Sequence, residues 1–219
     1  MLTPHSRVGG RSIPPGRWRS RLCVGSRPFH TDCGRLLKLE RLPYRATTQA
    51  AAYERIAKLP VTVLLDNVRS LYNVGAFFRT ADGAGVEKLY LCGITGAPPK
   101  SGIRKTALGA EETVAWDHCS EPEPVIEGLR AQGYEIAAIE TSVRSVDLFD
   151  WRPAFPVCLL FGHEVEGLRP EIARLADTHV RIPMLGTKHS LNVATAGGVA
   201  IYELLRKYKM LVESERIIL

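Results

Sequence analysis

The chain has 219 residues, 45% of them hydrophobic, with 29 lysines and arginines against 23 aspartates and glutamates. This length is enough for one α/β domain with a sizeable core, alone or with an added arm. No apolar run approaches the length of a bilayer crossing, and the five cysteines have neither CxxC pairs nor a spacing typical of zinc ligands. The sequence therefore indicates a soluble protein without a metal centre.

The positive charge is concentrated at the start of the chain. Residues 1–45 contain ten arginines or lysines and two acidic residues, a net charge of +8, so the remaining residues carry about −2 of the total of +6. The basic pI therefore says little about RNA binding by the rest of the chain. We predict a basic, disordered arm over residues 1–45 and one domain over residues 46–219.

Three interpretations of the first 31 residues, which contain no acidic residue, stay open. The segment is an extension without a function, a basic arm that binds RNA, or an arginine- and serine-rich transit peptide. A cleaved transit peptide would place the protein in the mitochondrion. Otherwise the expected location is the cytoplasm.

Apolar runs of strand length alternate with amphipathic segments of helix length along the chain. Strands are predicted over residues 61–65, 87–92, 114–116, 134–139, 157–161 and 178–182. Helices are predicted over residues 47–59, 73–84, 101–112, 123–132 and 191–208, with a further short helix after residue 167. This alternation is typical of a mainly parallel sheet with helices on both faces, so we predict an α/β fold.

The stretch from residue 157 to residue 205 predicts a ligand crevice. Its first strand, residues 157–161, is entirely apolar and is followed at its carboxyl end by the polar turn GHEVEG. Its second strand stops before Pro183, and Ser190 is the expected N-cap of a helix that begins at Leu191. Open α/β sheets bind ligands at the carboxyl ends of their strands, where these segments are expected to meet.

The predicted helix over residues 73–84 has one face without bulky side chains. Gly75, Arg79 and Gly83 are spaced four residues apart, so a substrate could approach the backbone there and meet the guanidinium group. Alternatively, Arg79 is a solvated arginine, Gly83 only ends the helix, and Asn73 is only an N-cap. The pair Gly197 and Gly198 lies inside another predicted helix, where each glycine costs about 0.5 to 1 kcal/mol relative to alanine, which indicates that another backbone approaches closely.

Several cofactor motifs are absent. His163 and Glu164 do not begin a zinc-protease HExxH motif, because Gly167 stands where the second histidine would be. Neither GxxxxGK[ST] nor GxGxxG follows any predicted strand, so a phosphate-binding loop and a Rossmann-type cofactor site are not supported.

Three segments together resemble a known family. DNVRSLYNVGAFFRTADGAGVEKLYLCG, LLFGHEVEGL and IPMLGTKHSLNVATAGGVAIYELL are similar to the three motifs of the SpoU-type, TrmH-like branch of the SPOUT RNA methyltransferases, and the match covers about residues 61–208. The resemblance implies that the carboxyl-terminal part of the sheet is tied in a trefoil knot that forms an S-adenosylmethionine pocket. It also implies a homodimer.

The resemblance assigns roles to individual residues. Asn73 and Arg79 match the functional residues of the first motif, Glu164 matches the acidic residue of the second, and Ser190 and Asn192 match those of the third. Gly197 and Gly198 would serve close helix approach in the knot or at the dimer interface. The positions that match the cofactor contacts are Gly162, Ile182, Met184, Ser190 and Leu191, with Thr141 as a weaker match.

The implied reaction is methyl transfer from S-adenosylmethionine to a ribose 2'-hydroxyl of tRNA or rRNA. Family mechanisms often make the arginine a general base, but an arginine with a pKa above 12 stays protonated. We therefore expect Arg79 to bind a phosphate and stabilise the developing alkoxide, while Ser190, Asn192 and Glu164 fix the geometry. The alternatives are a non-catalytic knotted RNA-binding or assembly module and a methyltransferase for protein or small molecules.

Many relatives carry a substrate-binding domain of ribosomal-protein type before the knot, and the residues before 47 are too few and too polar to form one. RNA selection is therefore expected to come from the knot domain, the dimer groove or the basic arm. Candidate phosphate contacts are Arg104, Lys105, Lys188 and His189, and the alternative for each is an ordinary solvated surface charge.

Overall fold

The structure is a computed structural model that describes residues 57–218, with side chains described to residue 214. The arm predicted over residues 1–45 and residues 47–56 of the first predicted helix lie outside this part. Residues 57–58 are not helical and Leu59 begins a strand, so the predicted end of that helix at residue 59 is wrong. The boundary between arm and domain stays a prediction.

Seven strands form one sheet in which every pairing is parallel, in the order β3-β2-β1-β6-β4-β7-β5. The strands are β1 (Leu59–Asp66), β2 (Val86–Cys92), β3 (Ala115–Cys119), β4 (Glu135–Ile139), β5 (Val146–Asp147), β6 (Val157–Phe161) and β7 (Thr178–Arg181). The predicted parallel α/β fold is confirmed. The two-residue edge strand β5 was not predicted, and the trefoil knot stays a prediction.

Five α-helices connect or follow these strands. They are α1 (Leu71–Ala84), α2 (Ser101–Ala107), α3 (Glu123–Ala131), α4 (Pro170–Ala173) and α5 (Val193–Ile218), with a 3-10 helix at Ala110–Glu112. The helix predicted over residues 101–112 ends early because Leu108 and Gly109 adopt left-handed φ values of 54° and 97°. Within residues 57–218, none of the helices combines the length and apolar character that a membrane crossing requires.

The central strands are buried on both faces, as their continuous apolar composition predicts. In β6, Val157, Leu159 and Phe161 belong to one core cluster, which also contains the buried residues of α1, α2 and α5. Cys158 and Leu160 belong to a second cluster on the other face, with the buried residues of α3 and α4. Helices therefore cover both sides of the sheet.

The order of the strands brings distant parts of the chain to one edge. β6 lies between β1 and β4, and Leu65 of β1 pairs with Phe161 of β6. β7 pairs with the other side of β4, so Val180 lies opposite Ile139. The segments that follow β1, β4, β6 and β7 consequently leave the sheet at the same edge, which is where the ligand crevice was predicted.

Glycines of α1 and α5 allow close packing of the helices. A Cβ atom at Gly75 would overlap the Thr106 hydroxyl and the Ile103 carbonyl of α2, so the predicted open face is wrong at this position. A Cβ atom at Gly197 would overlap the ring of Phe77, which shows that a side chain of α1, rather than a backbone, approaches α5 there. A Cβ atom at Gly198 would meet no heavy atom within 4 Å in the described part of the chain.

Candidate active site

A cavity of about 220 Å³ opens at the carboxyl edge of the sheet, between the ends of β4, β6 and β7 and the start of α5. The family resemblance implies five cofactor contacts and a weaker sixth at Thr141. All of them line this cavity: Thr141, Gly162, Ile182, Met184, Ser190 and Leu191. The structure therefore brings the predicted cofactor-binding residues together, although their contact with a cofactor stays a prediction.

The turn that follows β6 forms one wall of this cavity. His163 and Gly167 exchange two backbone hydrogen bonds, with N···O distances of 3.0 and 2.9 Å. The Nδ1 atom of His163 accepts hydrogen bonds from the backbone N–H groups of Val165 and Glu166, both at 3.2 Å. A Cβ atom at Gly162 would overlap the backbone of Gly167 and the residue after it, so only glycine fits there without a shift. Sequence reasoning did not assign this role to His163.

Glu164, at the tip of this turn, connects β6 to the start of α1. Its carboxylate accepts hydrogen bonds from the backbone N–H groups of Arg69 at 3.1 Å and Ser70 at 2.9 Å. It also accepts one from the side-chain amide of Asn73 at 2.9 Å. The acidic residue thus satisfies donors at a helix N-terminus, where a negative charge is favoured.

Asn73 is also hydrogen-bonded to Asn192, just before α5. Its side-chain oxygen accepts a hydrogen bond from the amide of Asn192 at 3.1 Å. The side-chain oxygen of Asn192 in turn accepts from the backbone N–H groups of Ala194 and Thr195, at 3.0 and 3.2 Å. Glu164, Asn73 and Asn192 therefore form a hydrogen-bonded chain, which we call the carboxylate–amide chain, between three segments far apart in sequence.

Two predicted helix starts are corrected by these contacts. α5 begins at Val193 with Asn192 as its N-cap, so Ser190 is not the cap and instead lines the cavity. α1 begins at Leu71 with Ser70 as its N-cap, and the Ser70 hydroxyl accepts the N–H of Asn73 at 3.3 Å. Since Asn73 is not the cap, its side chain is available for the carboxylate–amide chain.

The hydrogen bonds of Glu164 change its acidity. Partial burial works to raise the pKa of this carboxyl group, but the hydrogen bonds from Ser70, Arg69 and Asn73 outweigh burial and hold the pKa below its ordinary value. Glu164 is therefore ionised at neutral pH and acts as an acceptor for three donors. A proton donor in the reaction would need the opposite shift, so the structure favours a positioning role.

Replacing Glu164 by Gln is expected to remove a pH-dependent part of the stability. Because the folded pKa is depressed, the stabilisation is fully present above the ordinary glutamate value of 4.5 and is lost as the pH falls through the lower folded value. Urea unfolding of both proteins from neutral to acidic pH should therefore show a difference that shrinks on acidification. Glu166→Gln is the control, because that carboxylate has no hydrogen-bond partner among residues 57–218; a pH-independent difference for Glu164→Gln would contradict the prediction.

Two further carboxylates fix the loops around the cavity, and sequence reasoning missed both. Asp66, 1% exposed at the end of β1, accepts two hydrogen bonds from Arg169, at 3.1 and 3.2 Å. Glu140 lines the cavity and accepts the backbone N–H groups of Thr141 at 3.0 Å and Leu168 at 3.2 Å. The sequence signal was an acidic residue at the carboxyl end of an apolar strand in each case.

Arg79 lies apart from the other predicted catalytic residues. Its exposed side chain lines a separate cleft of about 490 Å³ between α1, α2 and α5, together with Lys105 and Tyr202. It does not line the cavity, and it has no hydrogen bond to Glu164 or Asn192. One copy of the chain thus joins Asn73, Glu164 and Asn192, places Ser190 in the cavity wall, and leaves Arg79 outside.

Within residues 57–218, no group of three or more His, Cys, Asp or Glu side chains is arranged to hold a metal ion. The polar side chains that line the cavity are instead three carboxylates, two hydroxyls, a guanidinium group and two imidazoles: Glu140, Glu164, Glu166, Thr141, Ser190, Arg181, His163 and His189. Such a set suits an organic ligand with both polar and apolar parts.

The parallel sheet and the cavity at its carboxyl edge define an α/β protein with a ligand site of the kind found where strands of an open sheet end. The sequence model of the SpoU rRNA Methylase family matches residues 60–202, and the chain belongs to this family. This confirms the resemblance drawn from the three motifs.

Individual relatives agree with this assignment. The chain is 33% identical over 147 residues to a tRNA (guanosine(18)-2'-O)-methyltransferase from Aquifex aeolicus, covering 66% of this chain and 68% of that protein. It is 30% identical to a 23S rRNA (guanosine-2'-O-)-methyltransferase from Vibrio parahaemolyticus, covering 68% and 60%. The crystal structure of an AdoMet-bound rRNA methyltransferase from Sinorhizobium meliloti superposes with a TM-score of 0.63 at 33% identity, covering 69% and 61%. The chain thus spans about three fifths to two thirds of these relatives.

Proposed function

We propose that this protein transfers a methyl group from S-adenosylmethionine to a ribose 2'-hydroxyl of tRNA or rRNA. The observation that carries the proposal is the carboxylate–amide chain beside a cavity lined by every predicted cofactor contact. The named activities of the relatives support the same reaction, since both are guanosine 2'-O-methyltransferases, one for tRNA and one for rRNA. Because the chain spans only part of their length, the RNA substrate and the target nucleotide are part of the proposal.

The cavity suits S-adenosylmethionine. The apolar side chains of Ile182 and Leu191 offer a surface for the adenine ring. Three carboxylates line the cavity against one guanidinium group, that of Arg181, which gives a negative potential that favours a cation. The turn after β6 lines the cavity with Gly162, His163 and Gly167, and its close backbone approach at Gly162 sets the shape of that wall. When bound, S-adenosylmethionine supplies an electrophilic methyl group on a positively charged sulfur.

The residues of the chain then have to orient the ribose and make its hydroxyl reactive. The guanidinium group of Arg79 binds a phosphate of the RNA and stabilises the negative charge that develops on the 2'-oxygen. Ser190 lines the cavity, Asn192 holds Asn73 at the start of α5, and Glu164 fixes Asn73 and the turn after β6. Because DNA has no 2'-hydroxyl, a site built around this group selects RNA.

This mechanism requires two copies of the chain. Arg79 lies outside the cavity of its own copy, so the proposed site combines the cavity of one copy with Arg79 of a second copy in a homodimer. Exposed apolar side chains at and beside the cavity support such a contact, because Val165 is 86% and Leu185 is 102% exposed. The second copy would cover this surface.

Mixing two inactive variants tests the shared site. Arg79→Ala and Glu164→Ala copies, unfolded together and refolded as hybrids, are expected to regain activity, because one of the two sites in a hybrid dimer then has an intact cavity and an intact Arg79. Methyl transfer is measured before and after mixing, with each variant refolded alone as the control. Absence of any recovery in hybrids that are dimeric by sedimentation would contradict the shared site.

The proposed function is tested by transfer of tritium-labelled methyl groups to RNA. The protein is incubated with labelled S-adenosylmethionine and separate tRNA and rRNA fractions from cells, and nuclease digestion is followed by analysis of the nucleosides. We expect label in a 2'-O-methylated nucleoside of one fraction. Binding of S-adenosylmethionine by calorimetry without label in either fraction would refute the enzyme and favour a non-catalytic RNA-binding module.

A further inference from the structure

The cleft that Arg79 lines is also lined by a second basic side chain, that of Lys105. α2 packs on α1 at Gly75, where the Thr106 hydroxyl and the Ile103 carbonyl fill the space that a Cβ atom would need. Thr106 also donates a hydrogen bond to the backbone carbonyl of Tyr72 at 2.9 Å. This contact fixes the last turn of α2 and places Lys105 on the wall of the same cleft as Arg79.

Arg79 and Lys105, the two basic residues of the cleft, differ from the neighbouring Arg104 in their ion pairs. Arg104, beside Lys105 on α2, lies 3.8 Å from the carboxylate of Glu111. Within the described part of the chain, the side chains of Lys105 and Arg79 have no ion pair or hydrogen bond, and both are exposed. No carboxylate lines the cleft. Two like charges that share a cleft without a counter-charge make its potential positive and attract an anion.

The third wall of the cleft indicates which anion fits. Tyr202 of α5 is 50% exposed, and its hydroxyl would lie 2.9 Å from a Cβ atom at Gly83 on α1. An exposed aromatic ring beside two cations is typical of surfaces that bind single-stranded RNA, where cations contact the phosphates and rings contact the bases. The cleft therefore fits an RNA segment better than a free inorganic anion.

We infer that Lys105 binds a backbone phosphate of the substrate RNA in this cleft. This contact fixes the orientation of Arg79 relative to the reacting ribose. The inference rests on the proposed RNA methyltransferase function and adds a positioning residue to it. The ammonium group of Lys105 acts as a point charge for one phosphate, while the planar fork of Arg79 stays free for the group beside the 2'-oxygen. Lys105 touches neither the cavity nor the carboxylate–amide chain, so its contribution is to RNA binding and not to cofactor binding.

The test compares Lys105→Ala with Arg104→Ala. Both changes remove one positive charge from adjacent positions of α2, but only Lys105 lines the cleft, whereas Arg104 lies beside the carboxylate of Glu111. Binding of a fluorescein-labelled tRNA pool is measured by anisotropy over a series of salt concentrations. Lys105→Ala is expected to lower the affinity by about three- to tenfold and to reduce the slope of log K against log salt by about 0.7 to 0.9. Arg104→Ala should change neither, and Lys105→Arg should restore both.

Cofactor affinity separates this inference from the proposed function. S-adenosylmethionine should bind the wild type and Lys105→Ala equally in calorimetry, and the KM for RNA should rise more than kcat falls. Equal losses of RNA affinity in Lys105→Ala and Arg104→Ala, or no loss in either, would overturn the role of Lys105 even if the wild type methylates RNA. If the wild type transfers no methyl group, the enzyme proposal fails, whereas the salt slopes still decide whether Lys105 binds RNA.

Discussion

Arg79→Ala is expected to lower the rate of methyl transfer by about 100- to 1,000-fold, the range found when one donor that stabilises a developing negative charge is removed. The side chain is exposed and has no partner within residues 57–218, so the fold should not change. It lies outside the cavity, so the affinity for S-adenosylmethionine should stay the same. Single-turnover transfer to RNA and calorimetry of cofactor binding measure the two effects.

Arg79→Lys separates two possible roles of the guanidinium group. A lysine can lose a proton and serve as a base, but it cannot form the two parallel hydrogen bonds of an arginine with a phosphate. If Arg79 acts as a charged fork, the lysine variant should remain nearly as slow as the alanine variant. Substantial activity in the lysine variant, rising with pH, would count against that assignment.

Gly162→Ala is expected to weaken binding of S-adenosylmethionine by about 10- to 100-fold. The added methyl group would overlap backbone atoms of Gly167 and Leu168, which cannot rotate away as a flexible side chain could. Overpacking of this kind costs about 1 to 3 kcal/mol, and each 1.4 kcal/mol is about a tenfold change in affinity. The turn has to move, and it forms a wall of the cavity.

A neighbouring glycine provides the control for this substitution. A Cβ atom at Gly186 would meet nothing within 4 Å, so Gly186→Ala should bind the cofactor normally. Calorimetry gives the affinities, and urea unfolding shows whether the Gly162 variant retains a cooperative fold. Normal affinity in a folded Gly162→Ala protein would mean that the turn after β6 does not bind the cofactor.

The sequence predicted the parts of the fold that depend on continuous apolar runs. The strand predicted over residues 157–161 is observed as Val157–Phe161, because a short run with no polar residue is typical of a strand that helices cover on both faces. The convergence of Gly162, Ile182 and Leu191 on one cavity followed from the rule that parallel strands end at the same edge. No local pattern in the sequence could predict that β6 lies between β1 and β4.

The helix starts show where local chemistry is insufficient. Ser70 and Asn73 are both good capping residues, as are Ser190 and Asn192; the sequence favoured Ser190 wrongly, and the alternative that Asn73 is only an N-cap is also wrong. The choice depends on a distant residue, because Glu164 holds the amide of Asn73 in place through a hydrogen bond. Spacing along one helix also could not reveal that α2 covers Gly75. Both errors come from contacts between segments about 30 to 90 residues apart, which are invisible to local periodicity.

The place of β6 in the sheet has a consequence for synthesis of the protein. β4 leaves the ribosome before β6, yet β6 lies between β4 and β1, so the two halves of the sheet have no shared edge until residue 161 has emerged. Until then, β1 presents an almost wholly apolar edge, residues 61–65, to solvent or to a chaperone. Insertion of β6 closes the gap between β1 and β4, but the cavity also needs the end of β7 and the start of α5, which emerge later. The central part of the sheet can therefore be complete before the cavity is.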